Sequence, residues 1–229
     1  MNPVRVRYLH SVLRALAVLG TCVTATVYGD NTLRDQEIAN CLPGEIVNWG
    51  DQQDRPVAKR SLTFVYEHAF APDWFEVEQV LKSLRLSAQS WSTCGIGAQV
   101  VSSNDTRPAV TDAIRIQWSD TESRNNFGLA NLGNKTLSLG PGAFQLLNNR
   151  NPAHDARQTL QMVISHEMGH FFGLMAHSKR CVDVSSYYFN GKGEQCHIRG
   201  GGKLPPGVEY RSMLPTACDI QRCKMINNF

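Results

Sequence analysis

His166 and His170 stand four residues apart with Glu167 beside the first of them. In an α-helix this spacing puts both imidazoles on one face, with about 5–6 Å between Cβ atoms, so that both can reach one metal ion. Glu167 falls a step round the helix, where its carboxylate can hold a reacting water rather than the metal. The surrounding sequence agrees with a helix. Leu160, Val163, Ile164, Phe171 and Leu174 are spaced for burial of one face. Asn151 is a good cap with Pro152 at the first helical position, and Gly173 is the residue type at which a helix ends in a left-handed turn. A helix from Asn151-Pro152 to Gly173 is therefore expected.

A break at Gly173 lets the following chain swing back towards the metal, and His177 is the first ligand type it meets. Three protein ligands with one open position is the pattern of a catalytic rather than a structural zinc ion. Such an ion lowers the pKa of a water to roughly 7 and polarises a carbonyl. His177 would bind as neutral imidazole, its other nitrogen held by an acceptor behind it. His197 and Asp183 are the competitors for the third position.

The N-terminus and the cysteines place this chemistry in an exported protein. Arg5, Arg7 and Arg14 precede or enter the apolar run Ala15–Val23, which has the form of a secretory signal peptide cleaved after Ala25 or Gly29. Leu19-Gly20-Thr21-Cys22 only loosely resembles a lipoprotein box, and no membrane association is expected after cleavage. From Asp30 onward there are 20 basic and 20 acidic residues, so the formal charge of +3 belongs to the signal. A partner held by phosphate neutralisation is disfavoured, and with it nucleic acid. Of seven cysteines, Cys22 leaves with the signal; Cys41, Cys94, Cys181, Cys196, Cys218 and Cys223 remain. An even number in an exported chain suggests disulfides. Sequence proximity favours Cys181–Cys196 and Cys218–Cys223, leaving Cys41–Cys94. No Cys-x-x-Cys pair supports a thiolate metal site.

Residues 30–60 are polar and turn-rich and read as an N-terminal arm or short pro-segment. Leu62, Phe64 and Tyr66 alternate as in a strand. Trp74, Val77, Leu81, Leu84, Ala88 and Trp91 form one apolar helix face from near Pro72, stopped at Gly95. Further strands are expected at Ala98–Val101, Ala113–Trp118 and Thr136–Leu139, with residues 119–135 loop-like between the last two. From Ser178 no long period survives. The fold class is α/β (α+β): a small mixed twisted sheet, two long helices and an irregular, disulfide-tied C-terminal subdomain.

Taken together, His166, Glu167, His170, Gly173 and His177 resemble the zinc motif of the metzincins. Tyr210-Arg211-Ser212-Met213-Leu214-Pro215 resembles their methionine turn, with Met213 the methionine. Asp219-Ile220-Gln221 is similar to the start of the closing helix in matrixin-like members, and Phe127-Gly128-Leu129-Ala130 to the entry of their substrate-lining edge strand. The likeness spans residues 61–229. Two departures stand out: His177 follows Gly173 by four residues where the family usually has three, and Tyr210 precedes the methionine turn where a tyrosine commonly follows it. The resemblance implies a secreted or periplasmic zinc metalloendopeptidase. His166, His170 and His177 would hold one Zn²⁺ and Glu167 would act as general base. A protein or peptide substrate would run antiparallel to an edge strand around Thr136–Leu139. Cys41 offers a second reading, as a thiolate capping the zinc in the manner of a matrixin pro-segment. No calcium loop is expected, since acidic residues at regular offsets are missing. The sequence leaves oligomeric state open. The other functional class it allows is an exported zinc-binding homologue that binds partners without cutting them.

Overall fold

The computed structural model describes residues 32–105, 111–202, 204 and 209–229. The expected signal peptide, residues 1–29, lies outside the described residues.

Alternating apolar side chains bury Leu62, Phe64 and Tyr66 of strand β1 (Ser61–Tyr66) and Ile114, Ile116 and Trp118 of β3 (Ile114–Trp118). With β2 (Gly97–Ser102), β4 (Gly128–Asn131) and β5 (Thr136–Leu139) they form a five-stranded mixed sheet in the order β2-β1-β3-β5-β4. The β1–β2, β1–β3 and β3–β5 pairs are parallel, whereas β4 runs antiparallel to β5, with Gly128 opposite Leu139 and Asn131 opposite Thr136. All four β5 residues are buried, as expected for an inner strand covered on both faces. The edge strand beside β5 is thus β4, not Thr136–Leu139; it lies in the stretch whose composition reads as loop, at the residues whose resemblance pointed to an edge strand. Four residues beginning with glycine carry too little alternation to announce a strand.

The described residues hold six α-helices. Helix α1 (Leu33–Ala39) opens with a capping box between Thr32 and Asp35. Helix α2 (Val77–Ser92) buries Leu81, Leu84, Ala88 and Trp91 of the apolar face seen in the sequence, with Val80 in place of the exposed Val77. It begins at Val77 rather than near Pro72, which leaves Trp74 37% exposed and outside the core. After the short α3 (Asp120–Ser123) comes α4 (Pro141–Arg150), which was not expected. Gly140-Pro141-Gly142 reads as a breaker, yet proline at the first position of a helix removes only a donor that has no partner there anyway. Asn151 consequently closes α4 instead of opening the next helix; α5 (Ala156–Phe171) starts from Asp155, whose side chain accepts from the Arg157 N–H. Helix α6 (Ala217–Asn227) is capped by Thr216 and Asp219 in a second capping box.

Helices α2 and α5 meet through small and polar residues. Gln161 donates to Ser87 Oγ (2.7 Å), Ser87 lies 2.8 Å from Ser165 Oγ, and Ser165 Oγ donates to the Met213 carbonyl (2.7 Å). Trp91 Nε1 donates to the Ser165 carbonyl. A Cβ on Gly169 would sit 2.8 Å from the Trp91 ring, so only glycine lets the helices approach this closely.

The disulfides are Cys41–Cys218, Cys94–Cys223 and Cys181–Cys196. The last is the expected neighbour pair. The other two correct the proximity assignment: Cys218 and Cys223 lie on one helix, where five residues of rise separate them by about 7.5 Å, beyond the roughly 7 Å a disulfide bridges. Each instead ties α6 to a distant element, Cys218 to the chain after α1 and Cys223 to the end of α2. Three disulfides are the chemistry of an oxidising compartment and fit an exported protein. Among the described residues no helix is long and apolar enough to cross a membrane.

Candidate metal centre

Helix α5 holds His166 and His170 one turn apart, and the chain beyond Gly173 brings His177 to them. The ring centroids form an almost equilateral triangle: 5.3 Å for His166–His170, 5.2 Å for His166–His177 and 5.4 Å for His170–His177. Their ligating nitrogens all lie within 4.8 Å of one another.

The hydrogen bonds behind the rings fix which nitrogens are free. His166 Nδ1 lies 2.7 Å from the Val184 carbonyl and His170 Nδ1 lies 2.7 Å from the Leu174 carbonyl. A carbonyl can only accept, so both Nδ1 atoms carry a proton and Nε2 is the nitrogen left to bind a metal. His177 Nδ1 donates to Asp51 Oδ2 at 2.6 Å. Burial holds the pKa of His166 well below the ordinary histidine value, with His170 and His177 adding to the effect. Burial also lowers His177, against the pull of Asp51. Burial raises Asp51, but the bonds from His177 outweigh it and leave the carboxylate below its usual range. Three imidazoles with Nδ1 engaged leave their Nε2 atoms as a donor set that could hold one metal ion.

Gly173 makes the turn possible. Its φ is +101°, and a Cβ there would meet the Arg55 carbonyl oxygen at 2.5 Å. The four-residue run to His177 is then bound along its length by residues 49–55. The Arg55 N–H donates to the Gly173 carbonyl, Asp54 Oδ1 accepts from the Met175 N–H (2.8 Å) and the Ala176 N–H (2.9 Å), and the Trp49 N–H donates to the His177 carbonyl (2.9 Å). Asp54 is itself paired with Arg222 of α6 at 2.6 Å.

Glu167 is buried beside the triad, where burial raises its pKa against opposing pulls from His170 and the Ala130 N–H. That N–H, on β4, donates to Glu167 Oε2 at 2.8 Å. A cleft pocket of about 580 Å³ opens alongside, between β4, α4 and α5, with His166, Glu167, Tyr187 and Arg211 on its wall. The Tyr187 ring lies 4.3 Å from that of His177 and its hydroxyl donates to Asp51 Oδ2 at 3.0 Å.

Other residues singled out in the sequence lie elsewhere. Met213 meets α5 through its carbonyl, while the residue is 46% exposed and gives no buried plug beneath the histidines. Asp183 is buried against Arg180 (2.9 Å), Ser178 and Thr216, its pKa pushed up by burial and by Asp219, so it has structural work and is no ligand of this group. His197 belongs to the Cys181–Cys196 region, its N–H donating to the Lys179 carbonyl. Cys41 is in a disulfide and cannot cap a metal as a thiolate. Asp51, Asp54 and Tyr187 were not found from the sequence. Asp51 lies 126 residues from His177, and no local pattern joins them.

No protein-family model and no curated protein matches the chain. Among solved structures, a chain of the GM1 bound form of the ECX AB5 holotoxin is similar to it at 14% identity and a TM-score of 0.44, over 82% of this chain and 92% of that one.

Proposed function

We propose that this protein is an exported zinc-dependent endopeptidase of the metzincin type, matrixin-like in its catalytic domain, acting on extended protein or peptide chains. The observation that carries the reading is the convergence of three Nε2-presenting histidines with a buried glutamate that is tied to an edge strand. His166, His170 and His177 would hold the zinc. The ion would supply Lewis acidity, making a water more acidic and a peptide carbonyl more electrophilic.

The protein's own residues do the rest. Substrate adds to the exposed side of β4 by main-chain hydrogen bonds, as extended peptides do at a sheet edge. Glu167, braced at Oε2 by Ala130, takes the proton of the attacking water at Oε1 and passes it to the leaving amine as the peptide bond breaks. Burial favours this role, since a carboxylate with a raised pKa is the stronger base. The adjoining pocket receives a side chain of the substrate against Leu146, Leu147, Met162 and Val163.

Digestion of denatured casein tests the reading. Cleavage should stop on chelation and return with zinc. A protein that takes up zinc yet cuts neither casein nor unfolded peptides would be the inactive, partner-binding homologue instead.

A further inference from the structure

We infer that the arm ahead of β1 is a working part of the metal centre, with Asp51 the residue that positions His177 to bind the ion; this rests on the zinc reading above. His166 and His170 are aimed by α5. His177 belongs to no helix or strand and follows a break by four residues, so nothing in its own segment fixes it. The arm does. Of the residues from Gly173 to His177, Gly173, Met175, Ala176 and His177 each bond to residues 49–55, and the carbonyl of Leu174 is taken by His170.

Asp51 acts on His177 through both oxygens. Oδ1 accepts from the main-chain N–H (3.0 Å), which places the residue. Oδ2 accepts from Nδ1–H (2.6 Å), which sets the rotation of the ring and keeps its lone pair on Nε2. The Tyr187 hydroxyl, also on Oδ2, braces the carboxylate from the other side (3.0 Å). A plain tether for the loop needs only the first of these bonds. The second bears on the metal, and it explains how a ligand one residue further from the turn than in the resembling family is still delivered to the triad.

On this inference residues 32–60 are no removable pro-segment. Cys41–Cys218 and the Arg34 bonds to the Tyr210 and Arg211 carbonyls fasten the arm to the C-terminal region. Cutting it away would strip His177 of its acceptor, inactivating the centre rather than unmasking it.

The test compares full-length mature protein with Asp51→Ala and the near-isosteric Asp51→Asn, using zinc itself in competition with a chromophoric chelator. The visible spectrum of the cobalt-substituted protein and the melting of the metal-free protein are read alongside. Asp51→Asn should melt as wild type does, lose about 10- to 100-fold in zinc affinity and shift the cobalt bands, as loss of an acceptor behind a ligating histidine does. Affinities within about twofold of wild type, with unchanged cobalt bands in both variants, would overturn the inference. Weakened zinc binding in variants of a protein that cuts no peptide would support Asp51 and count against the protease reading alone. A wild type that takes up no zinc would overturn both.

Discussion

The main-chain N–H of Ala130 and the carboxylate of Glu167 are joined at 2.8 Å, so the strand that borders the cleft also aims the glutamate. The contact depends on a close approach two residues earlier. A Cβ on Gly128 would lie 2.5 Å from Val163 Cγ1 and 2.8 Å from Glu167 Cγ. Gly128→Ala should therefore push β4 off α5. We expect a stability loss of about 1–3 kcal/mol from overpacking and a fall of roughly 10- to 100-fold in kcat/KM from misplacing the base. Melting curves and casein kinetics on one preparation check both; wild-type kinetics would mean that Glu167 is aimed by α5 alone.

The third-ligand assignment separates by substitution. His177→Ala should abolish stoichiometric zinc and activity, whereas His197→Ala should keep both, since His197 is held at the Cys181–Cys196 region. Asp183→Ala takes a third course. It removes one of two acidic partners of the buried Arg180, Glu45 remaining at 3.5 Å, and breaking a buried pair costs up to roughly 3–5 kcal/mol. The expected result is lost stability, visible as a lowered Tm, with zinc still bound by the fraction that remains folded.

Acid sensitivity follows from Glu45. The hydrogen bond from Arg199 comes first among the causes that lower its pKa from 4.5 to about 2, against the opposing effect of burial. A carboxylate depressed on folding binds fewer protons in the folded than in the unfolded state, so stability rises with pH through the window between the two values. The contribution is complete above about 4.5 and is lost as pH falls towards 2. In Arg199→Ala this part of the acid limb should flatten: its Tm deficit against wild type should grow from pH 2 to pH 5 and stay constant beyond. A deficit independent of pH would assign the pair no electrostatic role.

Non-reducing peptide mapping should recover Cys41–Cys218, Cys94–Cys223 and Cys181–Cys196 and no free thiol. The first two close loops spanning 177 and 129 residues, and removing a native disulfide typically costs about 2–5 kcal/mol. Protein made in a reducing cytosol should accordingly be unstable. Six free thiols in active protein would contradict this.

What the sequence carried was local. His166 and His170 are legible because helix geometry alone joins them, and Gly173 because a left-handed turn favours glycine. The apolar faces of β1, β3 and α2 follow from their periods. The elements that escaped the periodicity are short or begin with residues that elsewhere break structure: α4 begins with Pro141, and β4, which begins with Gly128, was marked by resemblance alone. The parts of the site that escaped are tertiary: Asp51 and Asp54 reach His177 and Ala176 across more than a hundred residues, and two disulfides join elements that proximity never pairs. In each case the deciding term is packing of distant segments, which leaves no period in the chain.

The central claim is that a zinc held by His166, His170 and His177 and a base at Glu167 cut peptide bonds. It is tested most directly by Glu167→Ala, with bound zinc and casein turnover measured on the same sample. The account predicts one zinc per chain, as in wild type, and turnover reduced by about three or more orders of magnitude, a loss of at least roughly 4 kcal/mol of transition-state stabilisation. Turnover near that of wild type would contradict it.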